Sequence, residues 1–302
     1  MIKLGFVSAI LADLSFEEVV DFAANNGYSC VEILCWPKGK AERRYAGVTH
    51  IDVNELDEKR INSIKKYLEE KKIEISALGY YPDQEKRKFY IEHLKKVITA
   101  AAKLGLKNVN TFIGKDKNKN IEDNFKTFKK TWPAIVKHAQ ENKVKIGIEN
   151  CPMYFTNDEW PGGNNLATSP AIWRRMFEEI KSDYFGLNYD PSHLLWQYID
   201  YIKPIYEFKN KIFHVHIKDA KIFQDQLYEV GILAPPLEYH SPKLPGLGDI
   251  NWGKFISALT DIKYHGCACV EVEDRSFEDS LESRKKSLIL SRQFLNQFIV
   301  SI

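Results

Sequence analysis

The feature that most narrows the fold of this 302-residue chain is a rhythm. Short apolar runs of strand character alternate with longer amphipathic stretches, eight times from one end to the other. The strand-like runs are 2–9 (IKLGFVSA), 29–36 (SCVEILCW), 74–81 (EISALGYY), 107–114 (KNVNTFIG), 144–150 (VKIGIEN), 184–190 (YFGLNYD), 211–219 (KIFHVHIKD) and 267–274 (CACVEVED). Helices are expected over 16–27 after the capping residues Asp13–Ser15, and over about 56–71, 84–105 and 121–142. Others are expected from Pro170, from Asn251 as a cap, and over about 276–299. The segment 193–210 reads as helical or broken, with Pro204 inside it. No low-complexity linker or second compositional region interrupts the series. Eight βα units predict a parallel sheet closed into a single-domain (β/α)₈ TIM barrel spanning 1–302. An open doubly wound sheet is the alternative, disfavoured because no GxGxxG follows the first strand.

Bulk composition narrows the function. A net charge of +2 with 28% charged residues gives no pull toward nucleic acid or an anionic membrane. Five cysteines, an odd count sitting mostly in or beside strands, fit a reduced cytoplasmic protein better than a disulfide framework. No credible signal peptide opens the chain, and no apolar run is long enough to span a bilayer. Homo-oligomerisation is compatible with all of this.

Side-chain parity then singles out residues. In 211–219, Phe213, Val215 and Ile217 share one side while His214, His216 and Lys218 share the other. Polar groups seldom line the buried side of a strand unless something uses them. The same oddity recurs at Glu149, Asp190 and Glu271, each near the C-terminal end of its strand. A single acid at a strand end is ordinarily a cap or ion-pair partner, and a single strand histidine is ordinarily structural. Four such residues on consecutive strands at matching depth point instead to one metal site at the C-terminal face, where barrels carry their functional groups. Three carboxylates and an imidazole suit one divalent ion, Mn²⁺, Mg²⁺, Co²⁺ or Zn²⁺. Lys218 could orient hydroxyls or polarise a carbonyl, against the ordinary reading of a salt bridge with an acid such as Asp219. Trp36, Asn110 and Trp160, at or after strand ends, could wall a substrate pocket, although packing is the usual role of aromatics. His50 reads as an exposed loop residue that could also face that pocket. The Pro- and Gly-rich connections 151–165 and 220–250 are expected to form a substrate wall or lid.

The set IEN, YDPSHL, HVHIKD and VEVED, with PGLGDINW before the last strand, resembles the xylose isomerase-like TIM-barrel superfamily of sugar isomerases and epimerases over essentially the whole chain. Endonuclease IV is a distant relative in it. The resemblance implies Glu149, Asp190, His216 and Glu271 as metal ligands, with Glu149 and Glu271 also the acid/base pair. It implies that His193 contacts substrate or metal. The expected reaction is isomerisation or epimerisation of a small ketose or polyol-derived hydroxy-ketone by enediolate proton transfer. The sequence departs from the epimerases in lacking an arginine shortly after the strand-seven histidine, where Lys221 stands, so free and phosphorylated substrates both stay open. An inosose dehydratase-like lyase is the alternative. An abasic-site nuclease is less favoured, because the second to fourth strands end in CW, GYY and FIG without the histidines that further zinc ions would need.

Overall fold

The computed structural model describes residues 1–39, 45–82, 87–154 and 162–299. Its strands are β1 (Lys3–Val7), β2 (Cys30–Leu34), β3 (Glu74–Gly79), β4 (Asn108–Thr111), β5 (Lys145–Glu149), β6 (Phe185–Tyr189), β7 (Ile212–Ile217), β8 (Asp219–Ile222), β9 (His240–Lys243) and β10 (Cys267–Val270). Strands β1 to β7 and β10 form a closed parallel barrel, with β1 bonded to both β2 and β10. The expected single-domain TIM barrel is therefore what the chain adopts.

The helices are α1 (Phe16–Asn25), α2 (Glu58–Lys71), α3 (Arg87–Leu104), α4 (Ile121–Glu141), α5 (Pro170–Glu179), α6 (Ser192–Leu195), α7 (Lys203–Glu207), α8 (Gln224–Val230), α9 (Trp252–Asp261) and α10 (Leu281–Leu295). Local chemistry starts them where expected. Ser15 accepts from the Glu18 amide while the Glu18 carboxylate takes the Ser15 amide at 2.8 Å, a reciprocal cap on α1. Asn251 caps α9 through Lys254 N at 3.0 Å. The 193–210 segment is broken into α6 and α7, and Pro204 stands in the first turn of α7, where its missing N–H costs nothing.

The 220–250 connection is more ordered than its composition suggests. It contains α8, and β8 pairs antiparallel with β9 in a ribbon outside the barrel. The buried Asp219 carboxylate anchors it, accepting from Gly246 N at 2.9 Å, Ile250 N at 3.0 Å and the Trp252 indole at 2.8 Å.

Strand parity divides the interior. Outward residues such as Val31, Ile33, Ile146, Leu187, Val215 and Val270 join the main apolar cluster with the helices. The inward set is polar: Ser76, Glu32, Asn110, Asn188, His214 and His216 are all buried. Gly5 makes room on the floor of the barrel. It lies in register with Cys30 on one side and Cys269 on the other, and a Cβ added there would sit 2.5 Å from the Cys30 carbonyl oxygen, 2.6 Å from Cys30 Sγ and 2.9 Å from Cys269 Sγ. Gly5→Ala should therefore cost about 1–3 kcal/mol, the usual penalty of overpacking. Urea unfolding should show a lowered midpoint with an unchanged slope; an unchanged midpoint would mean that the thiols yield freely.

Candidate metal centre

The C-terminal mouth of the barrel collects the four residues. Glu149 ends β5, and His216 is the next-to-last residue of β7. Asp190 and Glu271 lie one residue beyond β6 and β10. One ligand atom from each of Glu149, Asp190, His216 and Glu271 lies within 4.8 Å of all the others. Asp190 is held by its neighbours: its amide donates to Asn150 Oδ1 and its carbonyl accepts from Asn150 Nδ2, both at 2.8 Å. Its Oδ1 accepts from Ser192 N at 2.8 Å, which leaves Oδ2 aimed into the site. His216 Nδ1 faces Glu149 Oε1 at 3.5 Å and Glu271 Oε2 at 3.4 Å.

These residues fit a metal on one direct observation. Asp190 Oδ2, His216 Nδ1 and His193 Nε2 are buried polar atoms without a hydrogen bond. Asp190 Oδ2 lies 3.1 Å from Lys218 Nζ and 3.3 Å from His193 Nε2, yet neither contact has the alignment of a hydrogen bond. Buried polar atoms are nearly always satisfied, and a cation held among the four residues would satisfy Asp190 Oδ2 and His216 Nδ1 together.

Lys218, whose ordinary reading was a salt bridge, is far more engaged than one pair with Asp219. Its ammonium lies 2.6 Å from Glu271, 3.1 Å from Glu273, 3.1 Å from Asp190 and 3.9 Å from Glu149. Burial pushes the Lys218 ammonium down, but these carboxylates outweigh it and lift it well above its ordinary value. Burial likewise pushes Glu149 and Glu271 up. His216, His193 and Lys218 nevertheless hold Glu149 well below the ordinary carboxylate range, and Lys218, with help from His216, brings Glu271 to about 2.

The cleft over these groups has two unlike walls. Glu149, Cys151, Lys218, Glu271 and Glu273 line one, from β5 onward. Val7, Ala9, Leu34, Trp36, Tyr45, Tyr81 and Phe112 line the other. Trp36 is thus at the cleft. Asn110 is wholly buried beneath it, with Nδ2 donating to Glu32 Oε2 at 2.8 Å, so its amide serves the floor and not the wall. Trp160 lies outside the described residues. His193, at the start of α6, closes on Glu149 Oε1 at 3.6 Å. His50 is buried and not exposed: its Nε2 bonds the Leu11 carbonyl at 3.2 Å, and the residue lines an outer groove with Asp52 and Arg60. The 220–250 arm contributes no lining residue to the cleft among the described residues. It packs on the shoulder instead, with Ile222 and Tyr239 against Trp196, and His240 stacked on the Trp196 ring at 5.1 Å. Glu32, Tyr81, Cys151 and Glu273 escaped the sequence reading. The signal for Glu32 was available, since it shares the inward parity of Cys30 and Leu34 inside an otherwise apolar run.

Comparison with known proteins agrees with this architecture. The family model described as a xylose isomerase-like TIM barrel matches residues 20–297. The uncharacterized protein YfiH of Bacillus subtilis (strain 168) is 27% identical over 300 residues, covering 90% of this chain and 93% of that protein. Among solved structures, D-psicose 3-epimerase with D-tagatose from Clostridium cellulolyticum H10 superposes with a TM-score of 0.72 at 14% identity, over 98% of this chain and 99% of that one. The IolI protein with a bound zinc atom gives 0.71 at 17%, over 99% and 100%. A probable 3-DHS dehydratase, AsbF of Bacillus anthracis, gives 0.68 at 16%, over 95% and 98%.

The charge cluster sets its own test. Glu149 and Glu271 have folded values below their ordinary 4.5, so their contribution to stability is present above about that pH and is lost as pH falls through the folded values. Removing Lys218 strands them. In chelator-treated protein, Lys218→Met should lose about 3–5 kcal/mol near neutral pH, the usual cost of breaking a buried ion pair from one side. The gap to the wild type should narrow on acidification, as the stranded carboxylates take up protons. Urea titrations near neutrality and near pH ~4 measure it; a gap independent of pH would refute the ionic account.

Proposed function

The chain belongs to the xylose isomerase-like TIM-barrel family, and from that premise we propose that it is a metal-dependent enzyme moving protons next to the carbonyl of a small sugar or polyol-derived hydroxy-ketone. Glu149, Asp190, His216 and Glu271 would hold one divalent ion, Mn²⁺, Mg²⁺, Co²⁺ or Zn²⁺. The observation that carries this reading is the convergence of buried Asp190 Oδ2 and His216 Nδ1, both without hydrogen bonds, beside two glutamates. The zinc in the similar IolI structure supports it.

A bound divalent ion supplies stabilisation for negative charge developing on the substrate's oxygens. The chain does the rest. Glu149 and Glu271, both on the charged wall of the cleft, are the bases that remove and return the proton. Their depressed values keep them ionised at neutral pH. Lys218, 2.6 Å from Glu271, keeps that carboxylate in place and can donate to a substrate oxygen. His193 Nε2, without a hydrogen bond, is available to a hydroxyl. Trp36 and its apolar neighbours would pack on the non-reacting face of the substrate and exclude water. Epimerases acting on ketoses among the similar structures support the isomerase assignment. Five free thiols support a reducing, cytoplasmic setting.

A dehydratase is the second reading, favoured by one specific feature: the Lys218 ammonium, 3.1 Å from Glu273 at the cleft, carries a proton that a departing hydroxyl could take after the same first proton removal. Its product would absorb as a conjugated enone. The nuclease reading has less support, since His50 and His93 bond the carbonyls of Leu11 and Cys35.

Two measurements test the proposal. Protein purified without chelator should carry about one divalent ion per chain by elemental analysis, as one closed ligand set implies. His216→Ala should lose it, and full retention would discard the ligand set. A panel of ketoses, aldoses, inososes and their phosphates, incubated in D₂O, should reveal a substrate that gains deuterium at the carbon next to its carbonyl. Glu271→Gln should slow that exchange by about 10²–10⁴-fold in samples matched for metal content. Undiminished exchange with metal still bound would move the proton-transfer role away from Glu271.

A further inference from the structure

Beneath the four residues lies a fifth carboxylate that none of the chemistry above uses. Glu32 projects from the middle of β2 into the barrel and is fully buried. A β3 glycine makes this possible: a Cβ on Gly79 would lie 2.6 Å from Glu32 Oε1. The carboxylate is saturated with donors. Oε1 accepts from the Tyr81 hydroxyl; Oε2 accepts from Asn110 Nδ2 at 2.8 Å and meets His216 Nε2 at 2.9 Å. Asn188 Nδ2, a neutral donor that also reaches the Tyr81 hydroxyl at 3.2 Å, lies 2.9 Å from the same ring nitrogen, where the charged Oε2 makes the stronger hydrogen bond.

An ionised carboxylate only accepts. With one oxygen serving Asn110, the hydrogen between Oε2 and His216 must sit on Nε2. As a metal ligand the imidazole is neutral and carries one hydrogen; with that hydrogen on Nε2 the lone pair is on Nδ1, the atom that points at Glu149 and Glu271 without a hydrogen bond.

We propose that Glu32 is the positioning residue of this centre: it takes the proton-bearing Nε2 of His216 and thereby presents Nδ1 as a donor to the ion held with Glu149, Asp190 and Glu271. The inference rests on the metal reading above. The arrangement spans the barrel, joining β2 to β7, so the ring is fixed both in protonation and in direction. The neighbouring trio Glu32, His214 and His216 is itself close enough to hold an ion, but its atoms are already engaged. His214 Nδ1 meets Asn188 Oδ1 at 2.9 Å and its Nε2 meets Ser76 Oγ at 3.0 Å. That trio is the hydrogen-bonded floor, and the open atoms are one layer higher.

The test compares full-length wild type, Glu32→Gln and Glu32→Asp for Zn²⁺ and Mn²⁺ affinity by competition with a chromophoric chelator, a readout separate from turnover. Glu32→Gln keeps the shape and removes the charge, so affinity should fall about 10–100-fold, and Glu32→Asp should recover part of the loss. Unchanged affinity in Glu32→Gln overturns the inference while leaving the metal reading intact. A wild type that binds neither ion brings down the metal reading itself. Since a variant can fail through misfolding, the wild type supplies a second readout. In ¹⁵N-histidine protein loaded with ¹¹³Cd²⁺, His216 should couple to cadmium through Nδ1 and show a hydrogen on Nε2. Coupling through Nε2 overturns the assignment whatever the variants do.

Discussion

Everything at the mouth of this barrel depends on one electrostatic problem: Glu149, Asp190, Glu271 and Glu273 crowd around a single buried ammonium. Taken out of water, such a group of like charges is tolerable only with positive charge in its midst. Lys218 supplies one unit. The remainder is why His216 is turned as it is, why Asp190 is clamped through Asn150 and Ser192, and why the polar floor reaches back to β2. The barrel provides the rigidity this requires, since strand ends fixed by hydrogen bonds on both sides cannot spread to relieve the repulsion.

The fold was legible because period-two strands alternate with mostly period-3.6 helical stretches along the chain, and eight such units have one compact closure. The convergence of Glu149, Asp190, His216 and Glu271 was legible for a related reason: each breaks the apolar pattern near a strand end. Glu32 breaks it too, but in mid-strand between Val31 and Ile33, where a lone acid reads as the wet side of a half-exposed sheet. Only closure of the barrel turns that side into an interior. The ribbon was hidden by its sequence. DAKI and HSPK are short, one contains proline, and their pairing spans a Pro-rich segment with no alternation to announce it. Asn110 shows the limit of depth arguments, because parity assigns a side chain to the inside but does not say which layer it occupies. His50 shows the limit for loops, since its burial comes from a contact with the distant Leu11 carbonyl.

Hydrogen bonding ties the layers together in a fixed order. Ser76, His214 and Asn188 form the lowest tier, Glu32, Asn110 and Tyr81 the next, and His216 rises from it into the acidic group. The lowest tier mixes both halves of the chain, and the next, drawn from the first half, holds His216 from the second, so neither half can form a working interior alone. That contrasts with the local helix caps, which each need only a few consecutive residues.

The two-walled cleft separates what the upper surface can vary. The charged wall comes from β5, β7, β10 and the residues just after them, and its acids are bound to Lys218 by ionic contacts. The facing wall of Val7, Ala9, Leu34 and Trp36 comes from β1, β2 and their C-terminal extensions, and carries no charge. Exchanging one aliphatic or aromatic side chain there alters the width of the cleft while every acidic oxygen stays where it was. A scaffold organised this way can drift toward new molecular shapes through its N-terminal quarter, keeping an inherited chemistry in the remainder.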